Sequence, residues 1–131
     1  MGDENKKVSY WLELAEYDLK TAEAMLETNR LLYVGFMCHQ TIEKMLKAYY
    51  VSQIEDKPPF THNLSMLANQ SELYSKLKEE HKDLLDTLGP LNIEARYPTD
   101  KDKIMESLNN KKCKNMISQT RRLKKWIKNQ L

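Results

Sequence analysis

Arg96 and Tyr97, followed by Pro98, stand in a stretch from Leu91 to Pro98 through which no helical period runs. A loop arginine can hold a phosphate bidentately while a base stacks on the neighbouring ring. The same residues suit a structural clamp, with the guanidinium on helix-end carbonyls, the tyrosine filling a bundle end and the proline starting a turn. His62, next to Thr61 at a helix start, fits either proton transfer or a hydrogen-bonded cap. Gln40, Glu43, Lys44 and Lys47 fall at i, i+3, i+4 and i+7 of one helix. That quadrant could meet a phosphate or a partner, or form a solvated strip with a Glu43 to Lys47 pair worth about 0.3–0.5 kcal/mol.

His39 lies on an apolar stripe and reads as a core or interface histidine, whereas His81 sits among charges and reads as solvated. Cys38 and Cys113 lie far apart inside helical patterns, without C-x-x-C spacing, and are expected to be reduced core thiols. No metal site and no cofactor follow from these residue types.

The elements that must position these groups are helical. Val8, Trp11, Leu12, Ala15, Leu19, Ala22, Met25 and Leu26 recur at three- and four-residue steps, predicting an amphipathic helix to about Thr28. A second helix is expected from Leu31 to about Gln53, with Leu32, Phe36, His39, Ile42, Met45, Leu46 and Tyr49 on one stripe. Gly35 stands there as a point of close approach. The short break at Thr28-Asn29-Arg30 makes the two antiparallel. Lys57-Pro58-Pro59-Phe60 must be a loop, because proline lacks the amide hydrogen a helix needs. Thr61 or Asn63 then caps a weaker helical region that runs through a kink to Leu88, stopped by Gly89-Pro90. Thr99 and Asp102 resemble a capping box that opens a last helix, Lys101 to Asn129. On it Met105, Cys113, Met116, Thr120, Leu123 and Ile127 share one side, and Lys111, Lys114, Arg121, Lys125 and Lys128 the other.

A chain of 131 residues with 40% hydrophobic and 31% charged content suits one domain spanning residues 1–131, its core at about 8–129. The formal charge of +2 conceals an asymmetry: residues 107–131 hold eight basic and no acidic side chains, while residues 1–30 hold four basic and seven acidic. Arg121, Arg122 and Lys125 are accordingly candidate contacts to RNA phosphates, although a solvated face complementing the helix dipole explains the same residues and is the simpler reading. The first residues lack the apolar run of a signal peptide, and no apolar stretch approaches membrane-spanning length, so a cytoplasmic protein without membrane contact is expected.

Trp11 with Ala15, Asp18 and Ala22, then Phe36-x-x-His39-Gln40-x-x-Glu43-Lys44-x-Leu46-Lys47-Ala48, resemble the opening of a HEPN domain. Thr61-His62-x-Leu64-x-x-Leu67 and Ala95-Arg96-Tyr97-Pro98 are similar to its later signatures, so the resemblance spans about residues 8 to 127. It implies an all-α, antiparallel up-down four-helix bundle with room for a short fifth helix, commonly a homodimer. Such domains occur in prokaryotes beside a minimal nucleotidyltransferase, many pairs acting as toxin and antitoxin. Some members cleave RNA through an Arg-x4–6-His motif at the dimer interface, and others are thought to bind nucleotides without cutting.

The ribonuclease motif is missing. His39, His62 and His81 all precede Arg96, and no histidine follows it; Arg30 and His39 are too far apart. Metal-independent cleavage needs an imidazole near an arginine that steadies phosphate charge. The resemblance therefore implies the nucleotide- or partner-binding half of a two-component system, with Gln40, Glu43, Lys44, Lys47, His62, Arg96 and Tyr97 as binding residues and no catalytic residue. The alternatives are a divergent endoribonuclease toxin using Arg96 with His62, and an RNA-binding module using Arg121, Arg122 and Lys125.

Overall fold

The computed structural model describes residues 2–94 and 98–131, with side chains described for 5–92, 102–103 and 105–131. Within these residues the chain is all-helical: α1 Gly2–Glu27, α2 Leu31–Ile54, α3 Leu64–Gln70, a short 3-10 turn Tyr74–Lys76, α4 Glu79–Glu94, α5 Pro98–Ser107 and α6 Asn110–Gln130.

Between α1 and α2 the chain reverses at Asn29, whose φ of 61° is the left-handed conformation that asparagine tolerates better than most residues. Arg30 N donates to Met25 O at 2.7 Å, closing the end of α1. Named contacts give the sense of the long helices. Glu23 meets Arg121 and Glu16 meets Lys124, so α1 and α6 run antiparallel. Gly35 lies against Leu91 while His39 reaches Leu88, which makes α2 and α4 antiparallel. The four long helices thus alternate in direction, as expected. At Gly35 a Cβ would come within 2.7 Å of Leu91 Cδ1, the close approach its lack of a side chain permits.

The core is built from the predicted stripes. Ala15, Leu19 and Ala22 of α1, Ile42, Met45 and Leu46 of α2, Leu84, Leu85 and Leu88 of α4, and Cys113, Leu123 and Ile127 of α6 form one buried cluster. Trp11 and Phe36, by contrast, are only half-buried. Both thiols are buried and unbridged, and burial pushes Cys38 up to about 12, so neither is poised as a nucleophile.

Three boundaries differ from expectation. The region after the loop is divided: Asn63 caps α3, its side chain accepting from Met66 N at 3.0 Å, and Glu72 at a φ of 65° turns the chain before α4. Gly89-Pro90 does not stop α4, which continues to Glu94 with Pro90 inside it. An exposed proline can be carried by a helix whose other face is anchored, because only one hydrogen bond is lost. The last helix is two: α5 begins at Pro98, a favoured first-turn proline, and ends at Ser107. Asn109 then caps α6, its side chain accepting from Lys112 N at 2.8 Å. The break removes Met105 from the shared stripe; it is exposed, whereas Cys113, Met116, Thr120, Leu123 and Ile127 are buried. Thr99 lies outside the described side chains. His81 is buried beside Trp126, ring centroids 5.0 Å apart, and not solvated. Its burial lowers its pKa.

Among the described residues no helix is long and apolar enough to cross a membrane. The cap of α6 is testable: Asn109→Ala should cost about 0.5–2 kcal/mol and Ile42→Ala about 2–5 kcal/mol, measured by urea denaturation, whereas a neutral Asn109→Ala would show that α5 and α6 do not need the break.

Candidate functional site

Glu43 is the centre of the site. It stands on the α2 face that packs inward, and its carboxylate is 4% exposed. A buried carboxylate needs donors, and the neighbouring helix turns and the loop supply them. His39, one turn earlier, approaches Oε1 through Nε2 at 3.3 Å. Lys47, one turn later, donates from Nζ to Oε2 at 3.1 Å. His62, from the loop, meets Oε1 through Nδ1 at 2.8 Å.

Hydrogen-bond partners hold the His39 ring at both nitrogens. His39 Nδ1 lies 2.9 Å from the Leu88 carbonyl, an acceptor only, so that nitrogen donates. Its Nε2 faces the Glu43 carboxylate, so the fully buried ring bridges the α4 backbone and the anion. Burial alone would raise the Glu43 carboxyl, but hydrogen bonds from His39 and His62 and the Lys47 ammonium outweigh it and lower it from 4.5 to about 2. His62 Nδ1 donates to the same anion, which turns Nε2 of this half-exposed ring away from Glu43.

His62 also lines a groove of about 630 Å³ between the loop and α4, with Phe60, Asn63 and Leu64 on one wall and Asp86, Pro90 and Asn92 on the other. Phe60 is fully exposed at its edge, and Asn92 is buried. Asn92 Oδ1 accepts from Gln40 Nε2 at 2.8 Å, which binds the groove wall to α2. Here are ring stacking surface, an imidazole nitrogen, an amide and a carboxylate on one concave face. That set can hold a small polar ligand with a flat ring.

The four residues of the α2 quadrant are therefore not a solvated strip. Glu43 and Lys47 are buried. Lys44 pairs with Asp18 of α1, and Lys47 also lies 5.5 Å from the Trp11 ring centroid. His62 and Lys47 meet at Glu43, whereas Gln40 is tied to Asn92; Arg96 and Tyr97 lie outside the described residues. On the far side of the bundle, Arg121 donates to Glu23 at 2.6 Å, while Arg122 and Lys125 are exposed. Among the described residues no group of three or more histidine, cysteine, aspartate or glutamate side chains could hold a metal ion.

Two members of the site were not anticipated. Asp18 carried a signal: a carboxylate spaced with Trp11, Ala15 and Ala22 on an apolar stripe needs a buried partner. Asn92 carried none, since its stretch reads as irregular.

A carboxyl held lower when folded than when unfolded contributes stability that is complete above its unfolded value and lost as pH falls through the folded one. For Glu43 that window runs from about 4.5 down to about 2. Glu43→Gln should cost about 3–5 kcal/mol near neutral pH, because it strands the buried Lys47 ammonium, and should flatten the acid limb of a urea-denaturation series; an unaltered limb would refute the ionised cluster.

No curated protein sequence matches the chain. Its structure is similar to the crystal structure of TT1696 from Thermus thermophilus, with a TM-score of 0.81 and 16% identity, over 95% of this chain and 98% of that one; at such identity the likeness concerns the fold. The HEPN domain model matches residues 8–130. With that match covering nearly its whole length, the chain belongs to the HEPN domain family.

Proposed function

We propose that this chain is the nucleotide- or partner-binding half of a two-component system whose other half is a minimal nucleotidyltransferase, working as a cytoplasmic homodimer in a toxin-antitoxin-like pair. The observation that carries this reading is the buried Glu43 cluster, which fixes His62 at the groove between the loop and α4. Burying a carboxylate with several donors is costly unless the geometry is held, and what this geometry holds is an imidazole facing a ligand-sized concavity. Gln40, Glu43, Lys44 and Lys47 serve by positioning, since their polar atoms are engaged with Asn92, His39, Asp18 and Trp11. His62 makes direct contact, and Arg96 and Tyr97 complete the contact set in this reading.

One observation favours a second reading, the divergent endoribonuclease. A carboxylate that orients an imidazole through Nδ1 and leaves Nε2 for proton transfer is the relation general bases use. His62 and Glu43 have it. Arg96 would then steady the phosphate charge. In the RNA-binding alternative on α6, Glu23 engages Arg121, which leaves Arg122 and Lys125 as the exposed contacts.

The readings separate experimentally. Isothermal titration with ATP should show binding that His62→Ala and Arg96→Ala each weaken at least about tenfold, the loss of one good polar contact, with helical circular dichroism unchanged. Co-expression with the product of the adjoining reading frame should yield a complex. Unweakened ATP binding in both variants and no complex would overturn the proposal. Cleavage of labelled RNA by the wild-type protein, abolished in His62→Ala, would instead establish the nuclease.

A further inference from the structure

The first turn of α4 is closed by a side chain that titrates. Lys78 stands just before the helix, and its carbonyl accepts from His81 N at 3.0 Å and Lys82 N at 3.1 Å, so Lys78 is the cap and His81 the third residue in. A glutamate or glutamine in that place reaches back and accepts from the cap's own amide. His81 does so with its ring: Lys78 N donates to Nδ1 at 3.4 Å. Only an unprotonated ring nitrogen can accept, so the bond exists in one charge state of the side chain.

The same ring joins two helices. It is 5% exposed and lies against the indole of Trp126 on α6, the planes inclined at 50°. Arg122, one turn before Trp126, lines a small recess there with Glu80, Leu84 and Gln119. The surroundings act on the imidazole in opposite senses. Burial disfavours the cation most, the Glu80 carboxylate at 3.6 Å from Nε2 favours it, and Lys78 and Arg122 disfavour it, so the ring is held below the ordinary histidine value of 6.5. The unpaired amides of the helix N-terminus add a further penalty for positive charge.

A proton on Nδ1 turns the acceptor into a donor. It would then face the Lys78 amide, donor against donor, with its charge at the positive end of α4 and beside Arg122. Turning outward brings the cation to water and to the exposed Glu80 carboxylate, and takes it off the indole. We infer that His81 is an acid-operated latch: its neutral ring fastens the start of α4 to Trp126 of α6, and its protonated ring lets that end go. The stability it contributes is complete above 6.5 and is lost as pH falls toward the lower folded value. No residue lining the groove beside His62 takes part, so the latch is independent of what the groove binds.

Trp11→Phe leaves Trp126 as the one tryptophan. In that background the indole emission, and the Lys78 amide in nitrogen-15 NMR spectra, are followed from about pH 8 to about pH 4.5. The emission should change and the amide lose protection together, with a midpoint below 6.5. His81→Gln keeps an acceptor at the cap without a titrating group and should hold both signals flat. Arg122→Gln removes a charge that opposes protonation and should raise the midpoint by roughly half a unit; Glu80→Gln should lower it. Helical circular dichroism checks that each variant is folded, and the two charge variants decide the matter if His81→Gln does not fold. No transition in that range, a transition that persists in His81→Gln, or a midpoint that neither charge variant moves would overturn the latch.

Discussion

The bundle is organised around one anion taken out of water. Glu43 is buried, and a carboxylate in that position is tolerable only while donors surround it. They come from its own helix, in His39 and Lys47, and from the loop, in His62, while His39 relays the connection to the Leu88 carbonyl of α4. One side chain thus fixes α2, α4 and the 55–63 loop against each other. Apolar packing alone would allow neighbouring helices to slide with little penalty. A hydrogen-bonded ion does not, because each displaced donor leaves charge unpaired in a medium that screens it poorly.

A second layer of charge follows the same logic at lower stakes. The acidic first helix and the basic last helix lie side by side, so Glu23 and Glu16 meet Arg121 and Lys124. The near-neutral total of the chain is thereby resolved into local pairing and a remaining basic surface at Lys111, Lys114, Arg122, Lys125 and Lys128, all exposed or nearly so. These outer pairs are wet and contribute little individually. Asp18 with Lys44 lies deeper and joins α1 to the polar cluster.

Much of the fold was legible from periodicity, because the apolar stripes of α1, α2 and α6 are long and their partners are other stripes of the same kind. The ends were less so. Gly89-Pro90 carries every sign of a stop, yet the helix continues because its inner face is fastened to α2. Asn109 looks like any exposed polar residue, and only its hydrogen bond to Lys112 N marks it as a cap. For the site, the spacing of Gln40, Glu43, Lys44 and Lys47 told which residues share a quadrant but not which way it faces. His39 on the apolar stripe was the available clue, since a histidine placed there needs a buried acceptor, and Glu43 is one turn away. His81 misled for the opposite reason: charged neighbours in sequence do not prevent a ring from turning inward onto Trp126.

Pro90 has an effect on what comes after it. A proline removes one rung from the helical ladder, the bond its amide would have made to Asp86, so the closing turns of α4 are coupled less firmly to the turns before them. What guides them instead is α2: Gly35 admits Leu91, Gln40 grips Asn92, and His39 takes the Leu88 carbonyl just upstream. The direction in which the last turn of α4 runs is accordingly set by the side chains of a different helix, and a substitution at Gln40 or His39 would re-aim that turn without changing any residue in it.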